Sequence, residues 1–432
     1  MAIDPPLFPG LPVVGSLLDL RNDRAELLRR AVLLHPDVVR FQVGPMRITL
    51  VAAPELIGHV LVKHAKRYTK RTRLHQMLRD GLGDGLLTAE GESWARQRRL
   101  AQPVFRADAV GVFADEITRD AEALAEQFAA ATTVDATAAL HRLTMRISGR
   151  VLLGAAFEAD ADRLYAAFDE AVRCTTARIL SPLTLPLRFP TPRNLRLQRA
   201  VGTLDVFLRD VIRERRARPV VADDLLGRLL VAHDGADSFG EQELVDQLKT
   251  VFIAGFESTA TMLQWLLWEL GQHPELQERV REEARSTRDP EALVVTRRVV
   301  NEALRRHPAG WAGVRTCEED DEVGGYRIPG NSMVFVSPYA THHLPGHWPD
   351  PLKFDPDRFL PEPSAQRHRH AFLPFLDGPR ACAGDNLAML ELVLITAAIV
   401  ARVRFTSGPD VLMPAPVVTL RPSAPVRLQI VH

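Results

Sequence analysis

Apolar residues recur at helical spacing along most of the chain between about Arg24 and His307, which predicts a largely helical structure. Strand-like alternation is confined to three hairpins, predicted at residues 38–51, at 325–328 paired with 332–336, and within 417–431. The pattern therefore predicts a mostly α fold with small peripheral β-sheets.

Three of the predicted helices bear on function. The longest runs from Glu241 to Gln272, because apolar residues continue for about thirty positions without a proline until His273-Pro274. A second covers roughly Thr296 to Arg306, and a third begins just after Gly384. The long proline-rich connection between these two, residues 309–379, is of a kind that is often functional.

The composition narrows the class of protein. The chain has 432 residues, 25% of them charged, and a formal net charge of zero, which gives no indication of nucleic-acid or anionic-membrane binding. Three distant cysteines, Cys174, Cys317 and Cys382, favour a reduced, cytoplasmic protein over a disulfide framework. We expect no signal peptide and no membrane anchor, since the longest apolar stretch, Leu387 to Ala401, is too short to cross a bilayer.

Cys382 lies in a loop about one turn before the third helix, and Arg380 is two residues away. A helix N-terminus and a nearby cation both stabilise a thiolate, the form in which cysteine ligates a metal. Gly378 and Gly384 would let the backbone approach a flat cofactor closely, and Phe375 could cover the sulfur. A small buried cysteine without a ligand is the structural alternative.

The loop sequence Phe-x-x-Gly-x-Arg-x-Cys-x-Gly, at residues 375–384, resembles the haem-binding loop of the cytochrome P-450 superfamily. The resemblance implies that Cys382 is the axial ligand to the iron of haem b and that Arg380 pairs with a haem propionate. Leu376 departs from the pattern, since the family usually has glycine or another small residue there.

The resemblance covers essentially the whole chain and implies one cytochrome P-450 domain over residues 1–432. Its haem would lie between the long helix and the cysteine loop. The expected parts are a β-rich part at about 36–53 and 310–340 plus the C-terminal hairpin, and a helical part at about 54–307 and 384–403.

Further motifs match the same family. Glu302 and Arg305 lie at i and i+3 on one helix face, where an exposed ion pair is the simple interpretation. In the family, Glu-x-x-Arg is a buried pair completed by a downstream arginine, which here would be Arg358. The residues that the resemblance assigns to the propionates besides Arg380 are Trp94, Arg98 and Arg315.

The middle of the long helix carries Ala-Gly-x-Glu-Ser-Thr, from Ala254 to Thr259, which is similar to the family's oxygen-binding segment. The resemblance implies that Ala254 contacts the haem and that Gly255 leaves room for dioxygen. Glu257 and Ser258 would be the acid and the alcohol that supply protons, with Thr259 as a second alcohol. A hydroxyl bonded back to the carbonyl four residues earlier is the structural alternative.

By the same resemblance, the substrate is a hydrophobic small molecule, oxidised by insertion of one atom of O2 (hydroxylation or epoxidation) in bacterial natural-product metabolism. The chain resembles relatives that oxidise terpenoids or fatty acids more loosely than it resembles the family as a whole. The expected pocket is bounded by residues 71–88 and 181–192, by Gly310–Val314, by the turn near Ser423, and by Val251, Phe252, Phe256 and Trp311.

The electron donor is expected to be a separate protein, because the sequence has neither a Gly-x-Gly-x-x-Gly dinucleotide fingerprint nor a cysteine cluster for an iron–sulfur centre. We expect NAD(P)H to act through a ferredoxin reductase and a ferredoxin that docks near Arg96, Arg99 and Arg106 on a monomeric enzyme. The alternatives are a haem-thiolate peroxygenase or isomerase, and a non-catalytic haem-binding protein.

Overall fold

The computed structural model describes residues 2–154, 157, 160–181, 184–217, 224–409 and 411–431. Helices dominate these residues, as the apolar spacing predicts. Their bounds are α1 Leu17–Asn22, α2 Arg24–Leu34, α3 Pro54–Gly58, α4 Arg73–Leu82, α5 Gly91–Ala101, α6 Ala107–Val110, α7 Ala114–Ala129, α8 Ala136–Leu153, α9 Ala161–Leu180, α10 Pro192–Ala217, α11 Leu225–Val231, α12 Glu241–Gln272, α13 Pro274–Ser286, α14 Val294–Arg306, α15 Pro338–Thr341, α16 Pro361–Gln366 and α17 Asp385–Arg402.

Short strands form several small sheets beside the helices. Their bounds are β1 Val38–Val43, β2 Met46–Val51, β3 Tyr68–Thr69, β4 Thr133–Asp135, β5 His233–Asp234, β6 Asp237–Ser238, β7 Gly313–Cys317, β8 Asp321–Val323, β9 Tyr326–Ile328, β10 Met333–Val336, β11 Arg404–Ser407, β12 Pro414–Pro416, β13 Leu420–Pro422 and β14 Arg427–Val431. The largest sheet has the order β1-β2-β10-β7-β3, and a second has the order β11-β14-β4.

The predicted hairpin of β1 and β2 is confirmed, but the second and third predicted hairpins are wrong. Within 417–431, strand β13 pairs with β12, and β14 pairs with β11 and β4. Strand β9 pairs with β8, whereas β10 joins β2 and β7 in the large sheet. The reason is the turn at Gly324 and Gly325, which both have positive φ (58° and 82°). Two consecutive residues in this conformation close a tight hairpin whose twist matches the strands, so β9 folds back on β8.

The long helix α12 begins and ends where the sequence predicts, at Glu241 and Gln272. It is apolar on nearly every face, which is the pattern of a helix surrounded by protein. It packs against α8 on one side and against α14 and α17 on others, within the largest hydrophobic core. None of the described helices combines the length and the apolarity that a membrane crossing requires.

Candidate active site

The loop before α17 holds the Cys382 thiol through its backbone. The amide of Cys382 donates to the carbonyl of Phe375 at 3.0 Å. Burial raises the pKa of the thiol above its ordinary value, whereas the Gly384 N–H and the charges of Arg98 and Lys70 lower it. The residue nevertheless retains accessible surface.

Two residues of this loop have left-handed backbone conformations. Gly378 has φ +77°, and a Cβ there would lie 1.9 Å from the carbonyl oxygen of Leu61. The Leu61 backbone therefore requires a glycine at this position. Leu376 has φ +60°, which strains a residue with a Cβ and accounts for the small residue usual at this position. Its side chain packs against Gly313.

Basic side chains converge next to Cys382. Burial, and then the charges of Arg315 and Arg380, lower the pKa of Lys70 to about 7. Burial likewise lowers the pKa values of Arg315 and Arg380 to about 10. Arg98 is half-buried and donates to the carbonyl of Ala381 at 3.2 Å. Lowered pKa values of bases show that the protein holds these cations close together and away from water.

One carboxylate, Glu90, lies in this cluster and accepts a hydrogen bond from Arg380 at 2.6 Å. The cluster therefore holds a surplus of positive charge that favours anionic groups. The Arg380 guanidinium also lies 3.8 Å above the ring of Trp94, which places that predicted residue in the cluster. A thiol beside a cluster of cations is the donor set that a haem with two propionates requires, so the residues present fit this cofactor.

Sequence reasoning did not assign Lys70 to this cluster. Its ammonium donates to the carbonyl of Leu87 at 3.1 Å. In the sequence it is one of several basic residues in the run from Lys63 to Arg73, and no local pattern distinguishes it from its solvated neighbours. Only the tertiary structure, which brings it to Arg315 and Arg380, singles it out.

The Glu302–Arg305 pair is fully buried. Arg305 donates two hydrogen bonds of 2.8 Å to the Glu302 carboxylate, and the Asp355 amide donates a third at 2.9 Å. The Nε atom of Arg358 lies 3.6 Å from the same carboxylate, so the three residues expected together are together. Burial raises the pKa of Glu302, and the Arg305 guanidinium opposes that rise.

A buried histidine connects this pair to the cysteine loop. His342 donates from Nδ1 to the carbonyl of Arg305 at 2.9 Å and accepts at Nε2 from the amide of Leu373 at 2.8 Å. Burial lowers its pKa far below the usual range, so the ring is neutral with one fixed tautomer. The sequence analysis missed His342, which is remote in sequence from both of its partners.

On α12, Ala254 is exposed and Ser258 donates to the Ala254 carbonyl at 2.6 Å. The Glu257 side chain has different partners from those of Ser258. Its carboxylate accepts hydrogen bonds from His141 (3.2 Å), Thr419 (3.1 Å) and Arg421 (2.8 Å). The expected acid and alcohol are thus neighbours in sequence whose side chains do not bond to each other in this conformation.

Two residues of α12 lie close to neighbouring helices. A Cβ at Gly255 would lie 3.3 Å from the Ser148 hydroxyl, so this glycine allows close packing of α12 against α8. Thr259 is buried and donates to Glu391 of α17 at 2.9 Å. Successive residues of a helix point about 100° apart, so Thr259 does not share the face of Ala254 and Ser258.

The pocket assignments are partly corrected. Phe252 stacks on Phe168 with ring centres 3.8 Å apart, and Phe256 lies against the His141 ring at 5.3 Å. Both phenylalanines are almost fully buried in the core, because α9 and α8 cover that face of α12. Val251 is half-buried at the edge of the same core.

Trp311 packs against the N-terminal core, and its indole N–H donates to the carbonyl of Val417 at 3.3 Å. These contacts match a tryptophan that anchors its loop and give no support to the pocket assignment. Pro182 and Leu183, within the predicted pocket segment 181–192, lie outside the described residues.

The three arginines expected to receive a ferredoxin already have acidic partners within the chain. Arg96 bonds to Asp237 at 2.7 Å and to Glu243 at 2.6 Å. Arg99 lies 3.0 Å from Asp234. Arg106 pairs in the same way with its neighbour Asp108 at 3.1 Å. Part of the expected positive charge is therefore neutralised, which weakens the electrostatic case for docking there.

Comparison with known proteins identifies the family. The cytochrome P450 family model matches residues 5–429, so the chain belongs to the cytochrome P450 family. The chain is 32% identical to cyclooctat-9-en-7-ol 5-monooxygenase of Streptomyces melanosporofaciens, over 93% of this chain and 89% of that protein. It is 30% identical to pentalenene oxygenase of Streptomyces avermitilis, over 93% and 91%. The predicted class, a haem-dependent cytochrome P450 monooxygenase, is confirmed.

Solved structures confirm the fold. The haem domain of cytochrome P450DA superposes with a TM-score of 0.88 at 22% identity, over 100% of this chain and 98% of that chain. Retinoic-acid-bound cyanobacterial CYP120A1 superposes with a TM-score of 0.87 at 24% identity, over 100% and 99%. Likeness at these identities supports the fold alone.

Proposed function

We propose that this monooxygenase inserts one atom of O2 into a hydrophobic, terpenoid-like small molecule, using haem b ligated by Cys382. We further propose that it is a cytoplasmic monomer that receives NAD(P)H electrons through a ferredoxin and its reductase. The observation that carries the cofactor assignment is the cation cluster beside the thiol. The substrate class rests on the two Streptomyces relatives, whose names specify pentalenene and cyclooctat-9-en-7-ol.

The bound haem supplies the activation of O2 and the transfer of one oxygen atom. The chain's own residues do the remaining work. Cys382 would hold the iron as a thiolate, which the Gly384 N–H and the Arg98 charge stabilise. The haem propionates would be held by Lys70, Arg98, Arg315 and Arg380.

The acid and the alcohol of α12, Glu257 and Ser258, supply the protons. Glu257 holds a proton at Oε1 or Oε2 after it has turned from its present partners, and Ser258 passes protons through its hydroxyl. Burial raises the pKa of Glu257, but the hydrogen bond from His141 and the charge of Arg421 outweigh it, so the pKa is lowered overall. Glu257 is therefore ionised at neutral pH and able to accept a proton.

The carbon monoxide difference spectrum of the reduced protein tests the ligand. We expect a strongly red-shifted Soret band in the wild type, its loss in Cys382→Ala, and its retention in Cys174→Ala, a matched control at another cysteine inside the protein. An unshifted band in folded wild-type protein would refute thiolate ligation.

Product analysis tests the reaction. The haem protein is incubated with a terpene hydrocarbon, NADH, a ferredoxin and its reductase, with 18O2 as the oxygen source. We expect one labelled oxygen atom in the product. Label-free product formed from hydrogen peroxide alone would instead support the peroxygenase alternative, and no product from either oxidant would support a non-catalytic haem protein.

A further inference from the structure

Glu257 is sealed from water by the side chains that hold it. Its carboxylate is almost fully buried, and Thr419, one of its three partners, is buried as well. The other two partners reach the surface, since 32% of the His141 side chain and 43% of the Arg421 side chain are exposed. A proton that travels from solvent to Glu257 through these contacts must pass one of these two residues.

His141 and Arg421 differ in whether they can transfer a proton. A guanidinium is not deprotonated in proteins, so Arg421 cannot release a proton near neutral pH. An imidazole exchanges protons in this range, and both of its ring nitrogens take part. The Nε2 atom of His141 lies 3.2 Å from Oε2 of Glu257. The Arg421 nitrogens and the Thr419 hydroxyl bond to the other oxygen, Oε1.

We infer that His141 is the proton relay between solvent and Glu257, and that Arg421 is a positioning residue. The inference deepens the proposed function and rests on it. In the relay step the Nε2–H bond of the imidazolium breaks and an O–H bond forms at Oε2, with no electron transferred. The imidazole then regains a proton from water. Arg421 keeps the carboxylate ionised until that proton arrives.

No local sequence pattern indicates this role. His141 lies in α8, more than one hundred residues before Glu257, and Arg421 lies in β13, more than one hundred and fifty residues after it. The charged groups that contact the carboxylate among the described residues are His141 from α8 and Arg421 from the β12–β13 hairpin. A change in proton delivery can therefore be traced to one side chain, His141.

A pH-jump experiment on the oxidised haem protein tests the relay without turnover. Time-resolved infrared absorption follows the carboxyl band of Glu257, assigned by its loss in Glu257→Gln, after a jump from neutral pH to a pH below the lowered pKa of this carboxyl. His141→Gln keeps a hydrogen-bond donor of similar size but cannot carry the proton. We expect protonation of Glu257 to slow by roughly ten-fold or more in this variant, within the scale of acid–base relays.

His273→Gln is the matched control. His273 has 30% of its side chain exposed and lies near another buried carboxylate, Glu269, at the far end of the same helix. We expect the wild-type rate in this variant. A wild-type rate in His141→Gln, or an equal slowing in His273→Gln, would overturn the relay.

Turnover measurements separate this inference from the proposed function. We expect His141→Gln to retain the red-shifted carbon monoxide band while forming product several-fold more slowly and with an altered solvent isotope effect. If the wild type lacks that band or makes no product, the proposed function fails whatever the pH jump shows. If wild type and His141→Gln make product with equal rates and isotope effects, the relay alone fails.

Discussion

Glu391 lies in α17, inside the hydrophobic core between that helix and α12. One of its oxygens accepts a hydrogen bond from Thr259 at 2.9 Å, and its side chain is almost fully buried. Burial raises the pKa of the carboxyl from 4.5 to about 8, and the Thr259 hydroxyl opposes the rise only in part. At neutral pH the carboxyl is therefore protonated in the folded enzyme and ionised in the unfolded chain.

This difference makes the stability depend on pH. A raised folded-state pKa contributes stability that is fully present below about pH 4.5 and is lost as the pH rises to about 8. Each pH unit in that window costs about 1.4 kcal/mol, so Glu391 costs about 3 kcal/mol at pH 7. Glutamine has the same size, accepts the Thr259 hydrogen bond and does not titrate, so Glu391→Gln removes this cost.

Thermal unfolding of the haem protein between about pH 5 and 8 measures the effect. An unfolding entropy of about 2.1 cal/mol/K per residue gives about 0.9 kcal/mol/K for 432 residues. We therefore expect Glu391→Gln to raise Tm by about 3 °C at pH 7 and by less than about 1 °C at pH 5. Glu362→Gln, at an exposed glutamate, is the control and should not change Tm. A Tm difference that is constant with pH would refute a protonated Glu391.

Further predictions concern the haem side, the loop and the oxygen side of the site. Glu302→Ala leaves the buried guanidinium unpaired, at about 3–5 kcal/mol, and should leave little holoprotein, measured as haem per folded chain. Lys70→Met should speed haem loss roughly ten-fold, in a transfer assay to apomyoglobin, because a charged hydrogen bond is worth about 1.5–3 kcal/mol. Leu376→Gly should be more stable than Leu376→Ala by about 1 kcal/mol in urea unfolding, since only glycine relieves the left-handed strain. Ser258→Ala should raise the hydrogen peroxide released per electron consumed, and unchanged coupling would contradict a proton role for that hydroxyl.

Structural features that depend on residues close together in the sequence were predicted well. The 32 residues of α12 have a continuous apolar pattern and end at a proline, so both of its ends follow from the sequence. The same holds for the Cys382 loop and the Glu302–Arg305 pair. Each is a short motif whose residues lie within a few positions of one another in the sequence. The second hairpin was wrong because two adjacent glycines, and not the apolar alternation, set the strand pairing there.

Contacts between remote segments could not be predicted. A motif on α12 does not reveal which neighbour covers each face, so the closeness of Gly255 to Ser148 and the bond from Thr259 to Glu391 could not be predicted. For the same reason the sequence does not predict the roles of Lys70, His342 and His141, since each contacts its partners only after the chain has folded. The sequence contains these residues but no local signal of what they contact.

Two buried acids, Glu257 of α12 and Glu391 of the adjoining α17, have pKa values shifted in opposite directions. Glu257 has a lowered pKa and contacts two side chains that reach solvent. Glu391 has a raised pKa, already holds its proton, and contacts Thr259 in the core. Two acids whose environments push their pKa values apart serve different roles. Ionised Glu257 can accept protons repeatedly from outside, whereas Glu391 could give up one proton only by leaving a charge in the core, which supports Glu257 over Glu391 in the proposed proton supply.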